Sequence, residues 1–179
     1  MENKTHLNVF DFDETLFRVP NYTCKEANGM EPYEWFDSPT SLDPEFNIKP
    51  ITNTILAAQR ETSINCLITH RKSTCSQAVE RLLKENGITM DQSYFLGRAD
   101  SKAQKVKATL IENPEIQTVT IYEDTIWEIM KYVKYFTEYP MPVKINFVFV
   151  DKSKVMVFNW TIASVIAMAS HTAQRLIID

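Results

Sequence analysis

Glycine is nearly missing from this chain. Only Gly29, Gly87 and Gly97 occur among 179 residues. Neither a GxxxxGK[ST] loop nor a GxGxxG loop can be assembled from them, so nucleotide binding by those two routes is excluded. Cysteine is scarce as well: Cys24, Cys66 and Cys75 are odd in number and match no zinc-ligand spacing. Long hydrophobic runs are lacking too. The most apolar stretch, Val155 to Ala169, is broken by Asn159, Thr161 and Ser164 and falls short of the roughly 20 residues a membrane span needs. It reads as a buried element, and nothing in the opening MENKTH resembles a signal peptide. A reducing cytoplasm with no membrane partner is the setting these absences imply. Charge of one sign is in no large excess, with 19 Lys and Arg against 23 Asp and Glu and a formal charge of -4. That balance argues against a protein that coats nucleic acid non-specifically and leaves a local basic patch open.

What is present is 44% apolar residues, enough for one sizeable core with little left for a second. A single domain over residues 1–179 is expected. Short apolar runs alternate with amphipathic segments, the pattern of a parallel sheet covered by helices. The runs are Leu7 to Phe12, Ile64 to Thr69, Tyr94 to Leu96, Val119 to Tyr122 and Val143 to Val150. Ser73 to Glu85 spaces Ala78, Val79, Leu82 and Leu83 as a helix stopped by Asn86 and Gly87. Asp100 or Ser101 caps a further helix whose apolar face holds Val106, Leu110 and Ile111. VKINFVFV, DKSK and VMVF predict a hairpin, and Thr161 to Leu176 a closing helix. The fold class is therefore α/β, a Rossmann-like three-layer core with a parallel central sheet and its first strand in the middle.

Residues 18–50 break the alternation. The segment holds Pro20, Pro32, Pro39, Pro44 and Pro50 and the aromatic cluster of EPYEWFDSPTSLDP, so it cannot be one long regular element. Following the first strand directly, it is placed over that strand's C-terminal end and is expected to form a small irregular cap. The plainer alternative is a surface insertion that packs Trp35 and Phe36 into the core.

The chemistry-bearing residues follow the first strand. Asp11 and Asp13 sit where ligands of open α/β sheets bind, and two carboxylates so close call for a metal ion or a proton. Oxygen ligands favour Mg²⁺. One carboxylate can attack phosphorus while the other protonates the leaving group and then activates water. DxD pairs also occur in ordinary turns and calcium loops, but Leu16 to Pro20 supplies none of the further oxygens a calcium loop requires.

NVFDFDETLF resembles the first motif of the haloacid dehalogenase (HAD) superfamily, hhhhDxDxT, and INCLIT resembles the second. In VTIYEDTIWEI the strand ends in Glu123 and Asp124, similar to the fourth motif, with a lysine at the start of the preceding helix as in the third. More narrowly, YEWFDSPTSLDP, CLITHRK and IYEDTIWEI resemble the HAD domain of Swiss Army Knife RNA repair-like proteins, found widely in phage, over about Asn8 to Phe136. The resemblance implies a phosphatase acting through an aspartyl-phosphate intermediate, with Asp11 as nucleophile and Asp13 as acid and base. Thr69 and Lys102 would hold the transferring phosphoryl group, while Asp11, the backbone carbonyl of Asp13, and Asp124 with Glu123 behind it would hold Mg²⁺. Lys105 competes with Lys102, lying 18 rather than 21 residues before Glu123; a helix start beside the crevice favours Lys102.

Candidate substrate contacts are Thr15, His70, Arg71 and Trp35. Two positions depart from the RNA repair-like pattern: His70 stands where those relatives carry glycine, and Thr125 where they tend to carry arginine. His6 and His171 have no motif around them. The implied substrate is a phosphorylated small molecule, a nucleotide, or a phosphorylated nucleic-acid end, met in the host cytoplasm if the chain is phage-encoded; no oligomeric state is implied. The alternative is a non-catalytic HAD-fold protein that binds and sequesters a nucleotide or a host protein.

Overall fold

Leu7, Val9 and Phe10 are long, branched or aromatic residues with no turn-former among them, and they make β1 (His6–Phe10) the buried middle of a sheet. The computed structural model describes residues 4–20, 29–59, 62–151 and 156–165. Further strands are β2 (Phe17–Arg18), β3 (Lys49–Pro50), β4 (Ile64–Thr69), β5 (Gln92–Phe95), β6 (Thr118–Glu123), β7 (Lys144–Asp151) and β8 (Met156–Thr161). The main sheet runs β5-β4-β1-β6-β7-β8. Its first five strands are parallel and β8 pairs antiparallel with β7, so the expected central first strand and the hairpin are both present. Of the predicted closing helix, residues 166–176 lie outside the described residues, as do Cys24 and His171.

Alternation along the strands feeds two cores. Leu7, Val9, Cys66, Ile68, Val119 and Ile121 face α4 (Lys102–Glu112) and α5 (Ile126–Glu138), whose Val106, Leu110, Ile129 and Val133 complete that layer. Phe10 and Leu67 face the opposite way, toward α2 (Thr52–Ala58) and α3 (Ser76–Glu85). One expectation for α4 fails: Ile111 is exposed, because residues 106 and 110 already define the packed stripe. Asn8 donates to Asn65 across the β1–β4 pair at 3.1 Å, and Asn65 donates on to the Ala58 carbonyl at 2.7 Å. These amides satisfy polar groups that would otherwise be buried alone.

The 18–50 segment leaves and returns through the two-stranded β2–β3 ribbon. Inside it, α1 (Pro32–Phe36) and 3₁₀ turns at Pro39–Leu42 and Pro44–Phe46 each start on a proline, which suits a first helical position. Residues 21–28 lie outside the described residues. Among the described residues no helix is long and apolar enough to cross a membrane.

Candidate active site

Because β4, β1 and β6 are neighbours and parallel, the residues at their C-terminal ends meet. Asp11 extends the ladder by donating its N–H to the Tyr122 carbonyl at 3.1 Å. The chain then turns sharply. The Phe12 carbonyl accepts from both Leu16 and Phe17, and Glu14 takes a left-handed φ of 56°, a strained choice for a residue with a side chain. The Glu14 carboxylate accepts the Val19 N–H at 3.1 Å, which ties the turn to the start of the 18–50 segment.

Lys102 opens α4, one residue after Ser101, whose hydroxyl caps the Gln104 N–H at 3.4 Å. The residue is 2% exposed, and its ammonium lies 2.7 Å from Asp11 Oδ1 and 2.8 Å from Glu123 Oε2. Burial alone would lower the lysine pKa, but the two carboxylates outweigh it and hold Lys102 well above its usual value. Burial likewise raises the Glu123 carboxyl against the pull of Lys102. The 2.8 Å contact to a lysine held protonated fixes the pair as an ion pair. Lys105, the competitor, instead lies 3.9 Å from the centre of the Tyr94 ring.

Thr69 ends β4 and is buried. Its Oγ1 accepts the Arg71 N–H at 3.1 Å, which leaves the hydroxyl proton for a ligand oxygen. Asp13 reaches toward Arg71, which binds both of its oxygens. Burial raises the Asp13 carboxyl above its usual range, and the guanidinium opposes that without cancelling it.

Three expectations about substrate contacts are corrected. Arg71 is 2% exposed and its guanidinium is engaged by Asp13, the Phe36 carbonyl and Ser41 Oγ, so it is not presented to a ligand. A buried cation needs such partners. Trp35 is 1% exposed and meets Phe46 edge-to-face at 5.2 Å, so it is a buried residue of the 18–50 segment and not a ligand surface. Thr15 is fully buried, and its carbonyl accepts from Thr54 Oγ1.

His70 does line the crevice. Its Nδ1 lies 2.8 Å from the Gly97 carbonyl, which can only accept, so Nδ1 carries a hydrogen. Nε2 faces Glu128 Oε1 at 3.7 Å, and Lys131 donates to Glu128 Oε2 at 2.8 Å. Burial would raise the Glu128 carboxyl, but His70 and Lys131 bring it down to about 2. Glu128 carries no sequence signal beyond its place in the first turn of α5 and was not among the expected site residues.

The crevice is a cavity of about 310 Å³ lined by Asp11, Asp13, Glu14, Thr69, His70, Lys102, Glu123, Asp124, Thr125 and Glu128, with Val19, Pro20 and Phe36 from the 18–50 segment. Six carboxylates and one lysine make it strongly acidic. Carboxylate oxygens of Asp11, Glu123 and Asp124 lie within 4.8 Å of one another. A cluster of hard oxygen donors with unbalanced negative charge fits Mg²⁺. All three line the crevice, with Lys102 bound to Asp11 and to Glu123, so Asp124 is the member that this lysine leaves; the Asp13 side chain is not in the cluster.

Comparison with family models, with curated proteins and with solved structures returns no match.

Proposed function

We propose that the chain is an Mg²⁺-dependent phosphohydrolase of the HAD type acting on a phosphomonoester, a nucleotide or phosphorylated nucleic-acid end being the class the sequence resemblance implies. The observation that carries this reading is the convergence of Asp11, Thr69, Lys102 and the Glu123–Asp124 pair, from three strand ends and one helix start, on a single acidic crevice. Lys102 engages Asp11 Oδ1, leaving Oδ2 to attack phosphorus and displace the ester oxygen. The departing alkoxide takes its proton from the Asp13 carboxyl, which lines the same crevice. Water then attacks the phosphorus of the aspartyl phosphate, gives its proton back to Asp13, and releases phosphate and free Asp11. Thr69 donates its hydroxyl to a phosphoryl oxygen. Mg²⁺, held by Asp11 and Asp124, would supply charge neutralisation for the incoming phosphate.

Hydrolysis of an aryl phosphate with and without Mg²⁺, by the parent and by Asp11→Asn, tests it. Turnover that requires the metal and falls at least a hundredfold in the variant is expected; residual activity within tenfold of the parent would overturn the assignment. A non-catalytic binding protein is the second reading, and the tight Arg71 grip on both Asp13 oxygens is the observation in its favour. Absence of turnover on a panel of phosphomonoesters, with binding retained, would select it.

A further inference from the structure

We infer that the solvent face of α5 is a docking surface for a single-stranded nucleic acid whose phosphorylated end enters the crevice, an inference that rests on the phosphohydrolase reading above. The helix starts at the crevice: Thr125 and Glu128 line it, and Trp127 stands between them in sequence. Trp127 is 75% exposed, more than any other large hydrophobic side chain among the described residues. A Trp ring left in water at the mouth of a site is a stacking platform for any base.

Two lysines share its face. Lys131 and Lys134, four and seven positions on, are both exposed and fall on the same side of the helix as Trp127. At a rise of 1.5 Å per residue the three span about 10 Å, roughly three stacked nucleotides. Lys131 is anchored beside the crevice by Glu128. On the flank toward α4, Lys107 lies 4.9 Å from the Tyr139 ring and 6.0 Å from that of Tyr135, which adds a third cation among aromatics; Glu138 closes the row. An acidic crevice does not attract a polyanion by itself. A row of lysines and aromatic rings leading to it supplies that attraction.

Binding is read by fluorescence anisotropy on Asp11→Asn protein, with a labelled ten-nucleotide single strand bearing a terminal phosphate. Trp127→Ala, an exposed position whose replacement spares the fold, should weaken binding about tenfold. Lys134→Glu should weaken it several-fold and reduce the slope of affinity against salt by about one charge. Leu56→Ala, exposed on α2, should change nothing. With Asp11 restored, Trp127→Ala should lower kcat/KM for the oligonucleotide about tenfold relative to that for an aryl phosphate. Equal binding by parent and both variants, no binding by the parent, or a Trp127→Ala effect on self-association in place of strand binding would overturn the inference. Binding that depends on α5 without phosphate release by the parent would support the surface and remove the catalytic reading; aryl phosphate turnover with no strand binding would do the reverse.

Discussion

Arg71 grips Asp13 by both carboxylate oxygens, with Nε 3.1 Å from Oδ1 and 2.9 Å from Oδ2 and Nη2 2.7 Å from Oδ1. The same guanidinium donates through Nη1 to the Phe36 carbonyl at 2.7 Å and to Ser41 Oγ at 2.8 Å. One side chain thus joins the turn after β1 to the 18–50 segment. Arg71→Lys keeps the charge but loses the fork. The expected outcome is a loss of about 2–3 kcal/mol, as for buried hydrogen bonds to a charged group left unmade, read as a lower denaturation midpoint. Ser41→Ala removes one neutral acceptor and should cost about 1 kcal/mol. Equal effects for the two would show that the fork carries no special weight.

Asp13→Asn keeps the shape and removes the proton. Turnover should fall roughly 10²-fold or more, in the range for general acid–base catalysis. Glu115→Gln, an exposed carboxylate away from the crevice, is the comparison, and a loss at Asp13 no larger than at Glu115 would deprive Asp13 of a catalytic role.

Trp35→Ala should cost roughly 3–5 kcal/mol, the range for deleting a buried aromatic, because the ring is 1% exposed and packs edge-to-face on Phe46. Activity on small and large substrates should then fall together, alongside the melting temperature. An unchanged melting temperature with a raised Michaelis constant for nucleotides alone would return the ring to the substrate surface.

Glu128 makes stability depend on acid. Its carboxyl is held at about 2, below the usual 4.5, so its contribution is fully present above about pH 4.5 and is lost as pH falls toward 2. That contribution is on the order of 2–3 kcal/mol at neutral pH. Urea denaturation of the parent and of Glu128→Gln should differ by that amount at pH 7 and converge near pH 2; a gap independent of pH would mean the carboxylate is not stabilised by His70 and Lys131.

Four of the five parallel strands could be read from the sequence as short apolar runs, β4 matching the Ile64 to Thr69 run residue for residue, whereas β5 begins on the polar Gln92 and Ser93, two residues before the expected Tyr94 to Leu96 run. Helices α1 and α2 could not, since five and seven residues are too few to display a period. The burial of Trp35 was the alternative the segment's aromatics already offered, and it is the one the structure has. Within the site, the gathering of Asp11, Thr69, Lys102, Glu123 and Asp124 was legible, because each lies at the end of a strand or the start of a helix, where topology alone sets position. Arg71 was misjudged. It lies 58 residues from Asp13, and spacing says that a strand-end arginine is near the crevice without saying which carboxylate captures it. His70 and Glu128 meet across 58 residues of chain for the same reason.

Lys102 also bears on how the sheet is paired. Its ammonium reaches Asp11, which continues β1, and Glu123, which ends β6, and those strands are joined with Leu7 opposite Val119 and Val9 opposite Ile121. Sliding β1 by one residue would turn Asp11 to the other face. The buried lysine would then keep one carboxylate where it now has two, and the 2.7 Å contact to Asp11 would be lost. The charged triad therefore acts as a pin for strand register, and a chain that mispairs its two central strands is penalised at the floor of the crevice.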